Sequence, residues 1–203
     1  MKYLITLAVS VMALSASATA ETRNLSGFES VSAEDRLQVE VATWAHSVQI
    51  TGADASRVRT EINGDNLKIS QRNRPWFGET PRLDAVVRIT MPRVDALSAS
   101  RGAELSATGI EARNVALSAS MGGELRITGA CGDVTAAASM GGIIRAQDFH
   151  CRRADVSASM GGEARVYASE TYEGSASMGG AINVSGDGAS QGRATAMGGT
   201  IND

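Results

Sequence analysis

Three glutamates recur at the same place in successive repeats of the chain, and their spacing could support catalysis. Glu104, Glu124 and Glu163 each follow a glycine-containing turn at an equivalent position. Enzymes that cleave polysaccharides usually have two catalytic carboxylates, one on each side of the glycosidic bond. The row is interrupted, however, because Ile143 and Ala181 occupy the equivalent positions of two other repeats. A broken row of acids is more typical of a solvated surface, so the sequence favours a chain without catalytic residues.

The other residues that could act as nucleophiles or metal ligands are few. His46 and His150 are the only histidines, one in each half, and no serine or cysteine stands in a recognisable nucleophile motif. Methionines recur in the repeats, but a copper(I) site built on thioethers usually has supporting histidine or cysteine, and neither is interleaved with them. The glycine pairs also lack the aspartate pattern of calcium-binding repeats. We therefore expect no metal and no cofactor.

Cys131 and Cys151 are the only cysteines, and they lie twenty residues apart. This separation equals one period of the repeat described next. If successive coils stack in register at about 4.8 Å, the two side chains lie above one another within reach of a disulfide bond. Two small buried thiols are the alternative. Because an exported chain meets an oxidising compartment, we favour the bond, which would stabilise the fold by about 3 kcal/mol.

One segment of small residues occurs six times in the second half of the chain. Its commonest form is Ser-Ala-Ser-Met-Gly-Gly. Successive copies are 20, 19, 20, 18 and 19 residues apart, as measured at Arg101, Met121, Met140, Met160, Met178 and Met197. A constant period of this length is typical of stacked coils that bury their apolar faces against one another. The sequence therefore predicts an all-β fold, a parallel β-helix-like solenoid with coils of about 19 residues.

Apolar and polar residues alternate within each repeat, as in half-buried strands. In the first strand the predicted inward residues are Leu105, Ala107, Leu125, Ile127, Ile144, Ala146, Ala164, Val166, Ile182 and Val184. The second strand continues the same parity, for example at Val134, Ala136 and Ala138. Since the repeated methionines extend this parity, we expect them to form an internal stack just before each turn.

The outward positions of the first strand carry charge. Alternation places Glu124, Arg126, Arg145, Glu163 and Arg165 on the solvent side of successive coils. A rigid stack of strands would present these side chains as a long, flat face of mixed charge. They are the expected contact residues if the chain is a binding module.

The first half of the chain lacks the repeated segment but still reads as strands. Alternating apolar residues run from Leu37 to Val41 and from Leu83 to Met91. This pattern predicts an irregular β half over residues 21–96, comprising a cap and the first coils. The repeat solenoid follows over residues 97–203. Because stacked coils need a protected end, we expect residues 21–203 to form one continuous domain.

A polar loop with two large aromatic residues interrupts the first half. Trp76 and Phe77 stand close to Arg74. Exposed aromatic rings beside arginine could stack on sugars or enter a lipid headgroup layer. The same residues could instead fold back and cover the open end of the stack, which is the interpretation that we favour.

Residues 1–20 have the features of a signal peptide. Lys2 precedes an apolar run from Leu4 to Leu14, and Ala18-Thr19-Ala20 is a small-residue cleavage site. The run is too short to span a bilayer, and no later segment has the roughly 20 apolar residues of a membrane helix. No cysteine adjoins the cleavage site, so no lipid anchor is expected. We predict a soluble exported protein that is periplasmic or extracellular.

The charge balance argues against nucleic acid as a partner. The formal net charge is −3, with 19 basic and 22 acidic residues, and removal of Lys2 with the leader makes it more negative. A protein that binds nucleic acid normally has a basic patch or stripe.

These features together resemble a bacterial family described as putative auto-transporter adhesin, head GIN domain, or DUF2807. The resemblance rests on the leader, on a strand-rich half that closes near Arg88-Ile-Thr-Met-Pro92, and on the Ser-Ala-Ser-Met-Gly-Gly turns. It includes the segments Gly-Ala-Ile-Asn183 and Gly-Thr-Ile-Asn202, and it covers essentially the whole mature chain. The resemblance implies a parallel β-helix-like stack in a cell-envelope or secreted protein. The motif of the family defines no catalytic residues.

The sequence therefore predicts a noncatalytic envelope or secreted β-solenoid that serves as an adhesin-like binding or structural module. Its expected partner is a glycan, a surface polymer or an envelope protein. Two alternatives remain open. One is a polysaccharide-active β-helix enzyme that uses coil carboxylates, and the other is an architectural protein that self-assembles through the coil at Gly199–Asp203.

Overall fold

Strands account for nearly all of the regular structure in the described part of this chain. The computed structural model describes residues 20–73 and 80–203. Its strands are β1 Ala20–Arg23, β2 Ser30–Ala33, β3 Gln38–Thr43, β4 Ser47–Thr51, β5 Val58–Asn63, β6 Asn66–Gln71, β7 Val86–Met91, β8 Ala96–Ser100, β9 Glu104–Ser120, β10 Glu124–Ser139, β11 Ile143–Ser159, β12 Glu163–Ser177, β13 Ala181–Ser185, β14 Ala189–Ala196 and β15 Thr200–Asn202. One turn of 3₁₀ helix spans Ala55–Arg57.

The long strands β9 to β12 are successive coils of a parallel solenoid. Each pairs in parallel with the next, so that Leu125 lies opposite both Leu105 and Ile144. The pairing shifts register between Arg126 and Gly129, where the strand bends around a corner. Each coil therefore contributes a first half to one wall of the molecule and a second half to the opposite wall. The structure confirms the predicted fold, with about five turns of about 20 residues each.

The first half of the chain extends both walls, but with mixed strand directions. Strands β3, β7, β4 and β1 continue the first wall beyond β9, while β8, β2, β6 and β5 continue the second. The pairs β1–β4, β4–β7 and β5–β6 are antiparallel, whereas the coil-to-coil pairs are parallel. The irregular half is thus part of the same sheet system as the repeats.

The core lies between the two walls and is filled by the alternating residues that the sequence indicates. The ten inward residues predicted for the first strands are all buried, and so are Val134, Ala136 and Ala138 of the second wall. In the first half, Leu37, Val39 and Val41 are buried in the same way. Since most of these side chains are alanine or a single aliphatic group, the interior is narrow.

The repeated methionines lie outside this core, so the prediction of an internal stack is wrong. Met140 has φ 48° and Gly141 has φ 71°, and the N–H of Gly142 donates to the carbonyl of Ser139 at 2.9 Å. Positive φ at both central residues with this hydrogen bond is the geometry of a type I′ turn. The strand parity therefore ends at Ser139, and the turn directs the next side chain into solvent.

Each glycine of the Gly-Gly pair has a separate structural role. Gly141 supplies the positive φ that the second central position of the turn requires. Gly142 makes a close approach instead, because a Cβ atom there would lie 2.3 Å from the carbonyl oxygen of Ala119 on the preceding coil. The turn can stack on its neighbour only while this position lacks a side chain.

The described part of the chain contains neither a membrane-spanning helix nor a cluster of metal ligands. No helix in residues 20–73 and 80–203 is long and apolar enough to cross a membrane. Within those same ranges, no group of three or more histidine, cysteine, aspartate or glutamate residues could hold a metal ion.

Candidate functional site

The charged residues that the sequence places on the first wall do come together on one surface. Glu124 and Arg126 of β10 lie beside Ile143 and Arg145 of β11 in the parallel register. Glu163 and Arg165 of β12 follow in the next coil as partners of those two β11 residues. Adjacent coils are about 4.8 Å apart, so the arginines form one column and the acidic positions form a second column beside it. We call this surface the ladder face and define it by Glu124, Arg126, Arg145, Glu163 and Arg165.

Ion pairs join the two columns of the ladder face. The carboxylate of Glu124 lies 3.7 Å from the guanidinium of Arg126 and 3.4 Å from that of Arg145 on the next coil. Arg165 donates from Nε to the carboxylate of Glu163 at 2.7 Å. Three arginines opposite one another on neighbouring strands would repel, and the two carboxylates offset that repulsion. The result is a patterned surface that offers both donors and acceptors.

A shallow depression of about 360 Å³ adjoins the ladder face where β10 meets β9 and β3. Glu104 lies in it and accepts hydrogen bonds from Gln38 at 3.2 Å and from Arg82 at 3.0 Å. Partial burial alone raises the pKa of Glu104, but these hydrogen bonds and the nearby positive charge of Arg82 outweigh it, so the pKa lies below its usual range. Glu104 is therefore held as a carboxylate.

Tyr167 extends the ladder face and was not among the residues singled out from the sequence. It lies two residues beyond Arg165 on β12 and is half-buried. Its ring meets that of His150 edge to face, with centroids 4.5 Å apart. The period-two alternation of β12 already places Tyr167 on the outward side, so the same parity argument could have identified it. Partly exposed aromatic rings beside polar groups are suited to stacking on apolar faces of ligands.

The two cysteines lie further along β10 and β11 than the residues of the ladder face, at a corner of the coils. Cys131 and Cys151 are register partners on β10 and β11, with Cα atoms 4.4 Å apart and their sulfurs bonded. The bond joins two adjacent coils at one corner, which is where equal sequence phase places it. Mass measurement of alkylated protein before and after reduction tests the disulfide prediction, since two thiols should become reactive only after reduction.

An ion pair stabilises the same corner two residues further along. Arg153 of β11 donates two hydrogen bonds to the carboxylate of Asp133 on β10, one of them at 2.8 Å. This hydrogen bonding, reinforced by the charges of Arg153 and Arg152, lowers the pKa of Asp133 despite slight desolvation. The same contact raises the pKa of Arg153. The pair is a cross-coil contact of opposite charges.

The two histidines lie apart from each other in the fold. The ring of His46 packs edge to face on Phe28 and its Nε2 lies 2.9 Å from the Phe28 carbonyl oxygen. His46 and His150 are on different parts of the fold and have different partners. The predicted aromatic loop contacts Arg74, Trp76 and Phe77 lie outside the described residues.

Comparison with known proteins supports the fold and a family. The model of the family described as putative auto-transporter adhesin, head GIN domain, matches residues 27–188. A crystal structure of a putative adhesin from Bacteroides fragilis NCTC 9343 is similar, with a TM-score of 0.64, 14% identity, and coverage of 93% of this chain and 96% of that one. A putative lipid binding protein from Parabacteroides distasonis ATCC 8503 has a TM-score of 0.46 at 17% identity, with coverage of 93% and 97%. The comparison with curated proteins finds no match.

Proposed function

The chain belongs to the family of putative auto-transporter adhesins with a head GIN domain, and from this membership we propose that it is a noncatalytic binding module of the cell envelope or its exterior. The ladder face is the contact surface, and the partner is a glycan, a surface polymer or an envelope protein. The observation that carries the proposal is the alignment of Arg126, Arg145 and Arg165 on successive coils, beside a row in which Glu124 and Glu163 stand on either side of Ile143.

Rigidity of the ladder face supports this proposal. Both columns stand on long strands that pair on each side with another coil. The ion pairs of Glu124 and Glu163 further orient the neighbouring guanidinium groups. A surface that is ordered before binding loses little conformational entropy when it meets a partner. Carboxylates accept and guanidinium groups donate, so an array of both can hydrogen-bond to the hydroxyl groups of a sugar polymer.

The state of the carboxylates favours binding over catalysis. A glycosidase of the usual kind needs one carboxyl group with a raised pKa, which donates a proton to the leaving oxygen. Glu104 has a lowered pKa instead, and Glu124 and Glu163 are each paired with arginine. Glu104 in this environment is suited to accepting hydrogen bonds as a carboxylate.

The proposal includes export of the protein, which rests on the signal peptide predicted at residues 1–20. Residues 1–20 have the composition of a cleaved signal peptide, so the module acts in the periplasm or outside the cell. The bond between Cys131 and Cys151 is compatible with an oxidising compartment.

A binding screen with a parallel turnover assay tests the function. The protein that starts at Glu21 is assayed against immobilised glycans and envelope fractions, and product release is followed on the same polymers. We expect binding without product. Replacing Arg126, Arg145 and Arg165 together by Gln should weaken that binding at least tenfold, because three donors are lost from one column.

Arg59→Gln is the matched control for the triple variant. Arg59 is exposed and paired with Glu61 two residues away at 3.1 Å, as Arg165 is paired with Glu163, but it lies on β5 of the opposite wall. Its replacement should leave binding unchanged. The proposal would be contradicted if the triple variant bound as tightly as the original protein, or if Arg59→Gln weakened binding as much as the triple variant does. Release of product that Glu104→Gln abolishes would also contradict it.

A further inference from the structure

Five methionines stand in a conformation that is unfavourable for their residue type. Met121, Met140, Met160, Met178 and Met197 have φ of 49°, 48°, 49°, 47° and 48°. We call these five residues the Met ridge. The left-handed region costs an ordinary side chain roughly 1 kcal/mol or more, and turns of this kind prefer asparagine, aspartate or glycine. The same unfavourable choice is repeated in five successive turns.

Burial does not offset this cost. The first four side chains of the Met ridge are 44–47% exposed and Met197 is 79% exposed. Met91 of β7, by contrast, is 0% exposed and fills the core. Residues that are neither favoured by the backbone nor buried in the core point to a role for the side chain itself.

The backbone fixes the Met ridge as a straight row with one thioether in each turn. The carbonyl of Met140 accepts a hydrogen bond from the N–H of Gly122 on the preceding coil at 3.2 Å, and the carbonyl of Met160 accepts from Gly141 at 3.2 Å. The same contact recurs at the next two turns. The five side chains therefore stand on one edge with the same backbone geometry, and Met197 at the end of the row is the most exposed.

Two uses of such a row fit the geometry poorly. A soft metal ion needs several ligands that converge on it, whereas the row supplies one thioether in each coil and its turns contain only serine, alanine, glycine and methionine. A docking surface needs a broad apolar patch, whereas the Met ridge is one side chain wide and is bordered by the small residues Ser139 and Gly141. Oxidation requires only that each sulfur be accessible by itself.

We propose that the Met ridge is a site of reversible oxidation that consumes peroxide without unfolding the protein. A lone pair of each thioether sulfur attacks one oxygen of hydrogen peroxide, the O–O bond breaks and an S–O bond forms. The proton on the attacked oxygen passes to the departing hydroxide, which leaves as water. The sulfur is oxidised by two electrons and the peroxide is reduced by two. The polar sulfoxides form in exposed turns, so the core is untouched. Methionine sulfoxide reductases can restore the thioethers.

Peptide mapping after peroxide treatment tests the proposal with an internal control. Cleavage after arginine places every methionine of the described residues in its own peptide, namely 89–93 for Met91 and then 114–126, 127–145, 154–165, 166–193 and 194–203 for the Met ridge. We expect Met197 to gain one oxygen first, the other four to follow at similar rates, and Met91 to react at least about tenfold more slowly. Circular dichroism should remain native while the five oxygens are taken up.

Replacing all five by Leu provides the second arm, because leucine keeps a comparable apolar size without a thioether. That variant should lose the five-oxygen uptake, and single Met140→Leu should lose one oxygen if the full variant does not fold. Oxidation of the Met ridge no faster than that of Met91 would overturn the proposal. So would oxidation that proceeds only as the native signal disappears.

Discussion

Methionine at the first central position of each turn should make the fold less stable than it could be. Met140 has φ 48° and is 47% exposed. Asparagine enters the left-handed region at lower cost than other side chains with a Cβ. We expect Met140→Asn to raise the free energy of unfolding by about 1 kcal/mol, which chemical denaturation can measure.

Met140→Leu is the matched variant for this prediction. Leucine keeps an apolar side chain of similar size and meets the same backbone cost, so its stability should remain close to that of the original protein. A loss of stability in Met140→Asn would mean that contacts of the half-exposed thioether matter more than the backbone conformation. The Met ridge would then be a packing feature.

Single side chains were predictable from the sequence only where a strand continued. Parity correctly placed Leu125, Ala136 and Arg126 because each lies within a regular strand. It failed at Met140, where a type I′ turn interrupts the alternation one residue earlier than the pattern suggests. A Gly-Gly pair indicates a reversal, but the position of its first central residue depends on the hydrogen bond from Gly142 to Ser139.

The stacking of each turn on the turn of the preceding coil depends on the second glycine of each pair. A Cβ atom at Gly142 would lie 2.3 Å from the carbonyl oxygen of Ala119, a backbone atom that cannot move without disturbing the neighbouring coil. We expect Gly142→Ala to lower the free energy of unfolding by about 3 kcal/mol, as overpacking in a rigid interior does. Thermal and chemical unfolding should both report this loss.

Gly141→Asn separates close approach from backbone conformation. Gly141 has φ 71°, and a Cβ atom there has no neighbour within 4 Å among the described residues. Because asparagine tolerates the left-handed region, this variant should be much less destabilised than Gly142→Ala. Equal losses in the two variants would show that turn conformation, and not the contact between coils, limits the sequence at both positions.

The ion pair between β10 and β11 should make stability depend on pH. Hydrogen bonding to Arg153 lowers the pKa of Asp133 in the folded state, so the carboxylate form is favoured by folding. This contribution is present above the pKa of aspartate in the unfolded chain, about 3.9, and is lost as the pH falls through the lowered folded value. The melting temperatures of the original protein and Asp133→Asn should therefore differ at neutral pH and converge in acid.

Arg153→Gln should remove the same pH-dependent difference, because it deletes the partner that lowers the pKa. In the Arg153→Gln background, adding Asp133→Asn should have little further effect at any pH. A difference between the original protein and Asp133→Asn that persisted unchanged into strong acid would rule out this origin, since a protonated aspartic acid no longer forms the ion pair.

The whole molecule was predictable to the extent that its parts repeat. A constant period specifies parallel in-register neighbours, and β9 to β12 pair in that way. The first half has no period, so its pairing could not be read from the sequence. There β3 lies between β7 and β9 on one wall, while β2 lies between β6 and β8 on the other. Such pairings depend on long-range packing of residues that look locally alike.

The ladder face was predictable for a related reason. Once the coils are in register, outward residues of equal phase must align, and Arg126, Arg145 and Arg165 do so. The sequence alone could not place Arg82 against Glu104, because a loop of the irregular half brings that arginine to the first coil. Contacts between the repeats can be predicted from the position of each residue within its repeat. Contacts between the repeats and the first half of the chain can be found only from the structure.

Stability should be distributed unevenly along the solenoid. Strands β10 and β11 are each flanked by a long coil on both sides. Among the described strands, β14 pairs only with β12, and all but one of its residues are exposed. In a stack of coils, local opening is easiest where the fewest neighbours must separate. Native-state hydrogen exchange should therefore be slowest in β10 and β11 and fastest in β14.

Arg193→Gln gives this expectation a directed test. Arg193 of β14 donates to the carboxylate of Asp203 at 3.0 Å and to the carbonyl of Ile201 at 2.6 Å, and these contacts tie β14 to β15. Without them, exchange should accelerate several-fold in residues 189–202 and remain unchanged in β10. Arg113→Gln, at an exposed site on β9, should accelerate neither region. If Arg193→Gln accelerated exchange equally in β10 and β14, the coils would open together, and the nearest-neighbour description of this solenoid would be wrong.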